Sequence, residues 1–103
     1  MSTKKWYGIE DLEKRLGPFT MAMLLRSFRT REEISQVDFA KKLKISKANL
    51  CDIEKGRKLV SLERAAKFAK LLKDSELLYV KVALDDQLRA ANLRYEVFIK
   101  KAA

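Results

Sequence analysis

The residues with the clearest chemistry in this 103-residue chain are the cations of the stretch FAKKLKISKANLCDIEKGRK, which runs from Phe39 to Lys58. Lysine and arginine side chains neutralise phosphate groups and donate hydrogen bonds to the edges of nucleic-acid bases. Five of these cations are Lys41, Lys42, Lys44, Lys47 and Lys55. Their positions fit either phosphate contacts or an ordinary solvated surface, and their number alone does not separate the two.

The charge of the whole chain is strongly positive. It has 23 Lys and Arg against 14 Asp and Glu, which gives a formal net charge of +9. Such an excess favours polyanionic partners, either nucleic acid or an acidic membrane surface. A surface charged for solubility is the alternative.

The sequence has few residues that could serve in catalysis or bind a metal ion. The chain has no histidine, which removes the commonest general base, the Ser-His and Cys-His pairs and most zinc sites. The three glycines stand alone at positions 8, 17 and 56, so a Gly-rich phosphate loop is lacking. Cys51, the single cysteine, could be a redox-sensing thiol, although the chain has no second cysteine to resolve it. The sequence therefore predicts a protein that is not an enzyme and that uses no metal or cofactor.

The sequence also predicts a cytoplasmic protein with no membrane partner. No apolar run is long enough to span a bilayer, and the N-terminus MSTKKWYGIE lacks the apolar core of a signal peptide. One cysteine cannot form an internal disulfide.

Apolar residues recur at helical spacing with few glycines or prolines between them, which predicts an all-α fold of five to six helices. Residues 1–18 are predicted to form an N-terminal arm and a short helix that ends at Gly17 and Pro18. In the arm, Trp6 and Tyr7 are most simply packing residues. The apolar stripe of the short helix consists of Ile9, Leu12 and Leu16.

Residues 19–73 are predicted to form the central domain. Polar residues suited to N-caps precede its four helices, at Thr20, Ser35, Ser46 and Ser61. Gly56 follows the third of these helices, where a left-handed residue is expected. The buried stripe predicted for the fourth helix consists of Leu62, Ala65, Ala66, Ala69 and Leu72.

Residues 74–103 are predicted to form a dimerisation segment. Its helix, capped by Asp74 or Ser75, has an apolar stripe that consists of Leu77, Leu78, Val82, Leu84 and Leu88. The closing stretch LRYEVFIK alternates with period two, which predicts a β-strand paired with the same strand of a second copy. A continued helix or a frayed tail is the alternative.

Two helical patterns in the centre are separated only by Lys44 and Ile45, which is the spacing of a helix-turn-helix. Ala40 is small where the second helix of the motif must approach the first. The stretch RTREEISQVDFAKKLKISKANLCDIEKGRKLVSLERAAKFAKLL resembles the Cro/CI-like, or XRE, family of helix-turn-helix transcriptional regulators, and the resemblance extends over about residues 20–72. The markers of the resemblance are Arg29, Ser35, Gln36, Ala40 and the IEKG of residues 53–56.

The resemblance implies a lambda-repressor-like fold and a role for each exposed residue of the motif. Residues implied to contact base edges are Lys47, Ala48, Cys51 and Asp52. Residues implied to contact phosphates are Gln36, Asn49, Arg57 and Lys58. Arg29 and Glu54 match a partly buried ion pair of the family. Two positions depart from the family pattern: Lys44 stands where glycine is usual in the turn, and Val60 stands where proline is frequent.

The function implied is that of a sequence-specific DNA-binding transcriptional regulator, a repressor that binds an inverted-repeat operator in double-stranded DNA as a homodimer. An antitoxin that autoregulates its operon and binds a toxin protein is the alternative within the family, because the closing segment resembles the tails of such regulators. A protein-interaction module that keeps the fold without DNA binding is a further alternative. A role at a membrane surface is the least favoured alternative, because the apolar faces of the helices are expected to be buried in the core.

Overall fold

A computed structural model describes residues 17–102 of the chain. The five helices in this range are α1 (Met21–Arg31), α2 (Gln36–Leu43), α3 (Lys47–Glu54), α4 (Leu62–Leu72) and α5 (Glu76–Ala90). The predicted all-α fold is confirmed. The predicted N-terminal arm and its short helix lie outside the described residues, except for Gly17 and Pro18.

Each helix begins at a hydroxyl-bearing N-cap. In all five cases the side-chain oxygen accepts a hydrogen bond from the backbone N–H three residues further on, which would otherwise lack a partner. The N-caps are Thr20, Ser35, Ser46, Ser61 and Ser75. The starts of the helices are thus determined locally by the sequence.

The hydrophobic core draws on all five helices. Phe28 of α1 and Phe39 of α2 stack with their ring centroids 5.7 Å apart. From the other helices, the residues buried most completely are Leu50, Ile53, Ala65, Phe68, Ala69, Tyr79 and Ala83. Val60, at the position where the family often has proline, is also fully buried. The helix-turn-helix therefore packs against α1 and α4, and α5 packs against those two helices.

The apolar stripes predicted for α4 and α5 are partly wrong. Leu62 is 38% exposed, and Leu77 and Leu78 are 48% and 40% exposed. Tyr79 is buried in place of its leucine neighbours, and its hydroxyl donates to Asp74 Oδ2 at 3.2 Å. A tyrosine can fill a core position when its hydroxyl finds such a partner at the edge. Helix α5 consequently presents apolar side chains on a second face that residues 17–102 leave partly exposed.

The predicted C-terminal strand is not present in the single chain. Residues 91–102 have no regular secondary structure, and no strand is present anywhere in residues 17–102. A strand needs a partner for its backbone N–H and C=O groups, so the alternating pattern of LRYEVFIK cannot produce one alone. Tyr95 and Phe98 are instead 69% and 88% exposed.

Asp86 connects the last helix to the first. Its Oδ2 atom accepts a hydrogen bond from the backbone N–H of Met21 at 2.9 Å, and its Oδ1 atom pairs with Arg89. Burial raises the pKa of Asp86, although the Met21 hydrogen bond and the Arg89 charge act in the opposite direction. A carboxyl group whose pKa is raised by folding contributes stability at low pH and loses that contribution as the pH rises through the folded-state value.

Asp86→Asn should remove this pH dependence. An asparagine can still accept from the Met21 N–H but carries no charge to bury. Relative to the wild type, the variant should therefore gain unfolding free energy as the pH rises from about 3 to about 6. Urea unfolding at several pH values measures this difference. A relative stability that falls over the same interval would contradict the assignment.

Candidate nucleic-acid interface

A tight left-handed turn joins α2 to α3. Lys44 ends α2 with φ 60° and ψ 41°. Its N–H and that of Ile45 donate to the carbonyl oxygens of Lys41 and Ala40, each at 3.0 Å, and Ile45 packs against the core. These bonds satisfy carbonyl groups at the end of α2, and Ser46 then starts α3 at once.

Lys44→Gly should stabilise the fold, because a side chain in this backbone conformation costs about 1 kcal/mol that glycine does not incur. We expect the free energy of unfolding to rise by about 1 kcal/mol at most, since glycine also increases the entropy of the unfolded chain. Lys42→Gly, two residues earlier in the helix, is the matched control and should lower stability by about 1 kcal/mol. Chemical denaturation compares the two variants, and destabilisation by both would contradict the account of the turn.

Helix α3 has one buried side and one accessible side. Leu50, Ile53 and Glu54 are buried. Lys47 and Ala48 are exposed, while Cys51 and Asp52 are half-buried. The four residues predicted to contact base edges thus all retain accessible surface on this helix, and their contacts with DNA stay a prediction.

A partly buried ion pair fixes α3 against α1. Arg29 Nε donates to Glu54 Oε2 at 2.9 Å and Arg29 Nη2 donates to Glu54 Oε1 at 3.0 Å, which makes the pair bidentate. Glu54 is only 3% exposed, whereas the Arg29 side chain is 26% exposed. Gln36 Nε2 also donates to Glu54 Oε1 at 3.0 Å. One carboxylate therefore joins α1, α2 and α3.

The hydrogen bond from Gln36 to Glu54 bears on one of the predicted phosphate contacts. Gln36 was predicted to reach the DNA backbone, but in the free protein its amide nitrogen is bound to Glu54. The second N–H of the same amide remains available as a donor. A phosphate contact from Gln36 stays a prediction, and Glu54 would hold the amide in place for it.

A second ion cluster lies at the end of α3. Asp52 Oδ1 is 3.3 Å from Arg57 Nη1, and Asp52 Oδ2 is 3.7 Å from Lys58 Nζ. Gly56 makes this possible, because its left-handed backbone (φ 75°) turns the chain back so that the Arg57 N–H donates to the Asp52 carbonyl oxygen at 2.8 Å. Asp52, which is predicted to contact bases, is thus paired with Arg57 and Lys58, which are predicted to contact phosphates.

The remaining predicted residues are accessible to different degrees. Asn49 is half-buried, and its Oδ1 atom is enclosed with no hydrogen-bond partner in the described part of the chain. Cys51 is a free, half-buried thiol. The cations that are exposed in and around the motif are Lys41, Lys42, Lys44, Lys47, Lys55, Arg57 and Lys58.

Sequence reasoning missed the Gln36 hydrogen bond and the Asp52 cluster. Only the second had a local signal, because Gly56 separates the acid from the two cations by a spacing that a left-handed turn can close. The first depends on how α1, α2 and α3 pack together, which the spacing of residues does not specify.

Comparison with known proteins identifies a family. A family model described as a helix-turn-helix domain matches residues 20–76, which is more than half of the chain. No curated protein and no solved structure matches at a significant level. Within residues 17–102, no helix is both long enough and apolar enough to cross a membrane.

Proposed function

The chain belongs to the helix-turn-helix DNA-binding domains of the XRE/Cro-like kind, and from this premise we propose that it is a sequence-specific transcriptional repressor that binds an inverted-repeat operator as a homodimer. The observation that carries the proposal is the accessible side of α3. Lys47 and Ala48 are exposed there, on a helix whose other side is anchored by the buried Glu54. A recognition helix needs this combination of a rigid base and a free face that can meet base edges in the major groove.

The charges around α3 support phosphate binding on either side of it. Lys41 and Lys42 lie on α2, and Arg57 and Lys58 follow α3; all four are exposed. Phosphate contacts of this kind orient a protein on the duplex, whereas the side chains in the groove select the sequence. Repression would then follow from occupation of a promoter.

The uncovered apolar side chains of α5 and of the following segment support the homodimer. They form two groups, Leu77 and Leu78 at the start of α5 and Leu93, Tyr95 and Phe98 after its end, and we call the two groups together the C-terminal apolar surface. Its residues are 40% to 88% exposed, and water contact with so many large apolar side chains is unfavourable. A two-fold dimer would carry two α3 helices, the number that an inverted repeat with half-sites about 34 Å apart requires.

The oligomeric state tests this part of the proposal. Sedimentation should give a dimer for the wild type and a monomer for the double variant Leu77→Glu with Phe98→Glu. Leu62→Glu is the matched control, because Leu62 is an exposed leucine of α4 outside the C-terminal apolar surface. If the double variant remains a dimer, the C-terminal apolar surface is not the interface.

Selection of bound duplexes from a random pool tests the DNA-binding function. We expect the enriched sequences to contain two inverted half-sites with centres about one helical turn apart. Enrichment of a single unrepeated site would reject the symmetric dimer but retain sequence-specific binding. Enrichment of no sequence would reject the regulator and favour a protein-interaction module with the same fold.

An antitoxin that autoregulates its operon and binds a toxin protein is the second candidate. The exposed Tyr95 and Phe98 favour it, because aromatic side chains of this kind commonly anchor protein interfaces. Co-purification with the product of the neighbouring reading frame, lost in Tyr95→Ser with Phe98→Ser, would support it. If a dimer of this chain alone buries Tyr95 and Phe98 in its interface, that result would contradict the antitoxin hypothesis.

A further inference from the structure

Asp52 holds two cations in the free protein. One carboxylate oxygen is 3.3 Å from Arg57 Nη1 and the other is 3.7 Å from Lys58 Nζ. The backbone of Arg57 is also fixed to Asp52 by the 2.8 Å hydrogen bond between its N–H and the Asp52 carbonyl oxygen. The backbone of Arg57 is therefore fixed beside Asp52, whereas the two side-chain ion pairs depend on the attraction of charge.

The same geometry creates a conflict when the protein meets a DNA backbone. A phosphate that binds Arg57 or Lys58 brings its negative charge close to the Asp52 carboxylate. The side chains of the two cations are 63% and 59% exposed, so their ion pairs with Asp52 are weak enough to exchange. After the exchange, the carboxylate has lost its cations and stands against a negatively charged surface.

A hydrogen-bond donor on a base edge would resolve this conflict. The major groove offers the amino groups of cytosine and adenine as hydrogen-bond donors to a carboxylate, whereas guanine and thymine present acceptors there. Asp52 lies on α3 between the buried Ile53 and the half-buried Cys51, with 30% of its side chain exposed. Its carboxylate is thus accessible from the side on which the recognition helix would face the groove.

We propose that Asp52 determines specificity by exchanging partners. It pairs with Arg57 and Lys58 in the free protein, and it releases them to phosphates at little cost where the base at the position that the carboxylate reaches is a cytosine or an adenine, whose amino group replaces them. At other sequences the carboxylate repels the backbone and weakens binding. The inference rests on the proposed DNA-binding function and adds a mechanism by which one acidic residue suppresses binding to wrong sequences.

Asp52→Asn tests the exchange on two duplexes, one enriched by the wild-type chain from a random pool and one scrambled duplex of equal length. Affinity for the scrambled duplex should rise about fivefold, the effect of removing one unit-charge repulsion at about 4 Å in water. The dependence of log K on log salt should steepen by about 0.9 to 1.8, because one or two cations become free to neutralise phosphates. Affinity for the enriched duplex should not rise. The ratio of the affinity for the enriched duplex to that for the scrambled duplex should therefore fall at least about fivefold.

Glu76→Gln is the matched control. It removes the same charge from another exposed ion pair, in which Glu76 Oε1 is 3.9 Å from Lys70 Nζ, on α5 and α4 instead of α3. The control should leave both the salt dependence and the ratio of affinities unchanged. Circular dichroism and thermal melting should show that both variants are folded.

Two results would overturn the inference. One is an equal gain of affinity on both duplexes, because Asp52 would then act only through net charge. The other is an unchanged affinity and salt dependence on the scrambled duplex, because the two cations would then not be withheld by Asp52. Binding to a scrambled duplex can be measured without knowledge of an operator. This measurement therefore tests the exchange even if the wild type enriches no sequence and the proposed function fails.

Discussion

Arg29→Met should lower the free energy of unfolding by about 3–5 kcal/mol, the usual cost of removing one partner from a buried ion pair. Glu54 is 3% exposed, and the substitution takes away both of the hydrogen bonds that Arg29 donates to its carboxylate. Gln36 alone would then have to stabilise the buried charge. Urea unfolding followed by circular dichroism measures the loss.

Two further variants separate the buried charge from other effects. Arg26→Met removes an exposed arginine from the same helix and should change stability by less than about 0.5 kcal/mol. The double variant Arg29→Met with Glu54→Leu should recover most of the loss, because replacing both partners of a buried pair by apolar residues is often nearly neutral. If the double variant is as unstable as Arg29→Met alone, an unpaired carboxylate is not the cause.

Lys47→Ala should reduce affinity for the operator much more than affinity for scrambled DNA. Lys47 is the first residue of α3 and is exposed, so its ammonium group can reach a guanine edge without disturbing the core. A good base contact discriminates by about 1–3 kcal/mol, which corresponds to about 5- to 150-fold in affinity. Titration of both duplexes at fixed salt concentration measures the two losses.

The control for Lys47→Ala is Lys67→Ala, which removes an exposed lysine from α4. It should reduce both affinities only slightly and by the same factor. An equal loss on operator and scrambled DNA in Lys47→Ala would reassign Lys47 to phosphate contact.

Much of the central domain is predictable from the sequence because its signals are local. Ser35, Ser46 and Ser61 each cap a helix by bonding to an N–H three residues further on. Gly56 takes the left-handed conformation expected just past α3. Such features involve only neighbouring residues, so their pattern in the sequence is sufficient to locate them.

The errors lie where the outcome depends on distant parts of the chain or on a partner. Helix α5 has leucines on more than one face, so its periodicity does not reveal that Tyr79 faces the core while Leu77 faces outward. The alternation of LRYEVFIK favours a strand, but a strand forms only where another strand can pair with it. The link from Gln36 to Glu54 depends on the packing of three helices. None of these outcomes is determined by the spacing of residues alone.

Sequence-specific DNA binding is tested by the affinity of the wild-type chain for DNA from upstream of its own gene, measured beside a scrambled fragment across a series of salt concentrations. We expect the native fragment to be preferred by at least about a thousandfold and the affinity to fall steeply as the salt concentration rises. Weak and equal binding to both fragments would contradict this expectation, because the accessible side of α3 would then select no sequence in that region.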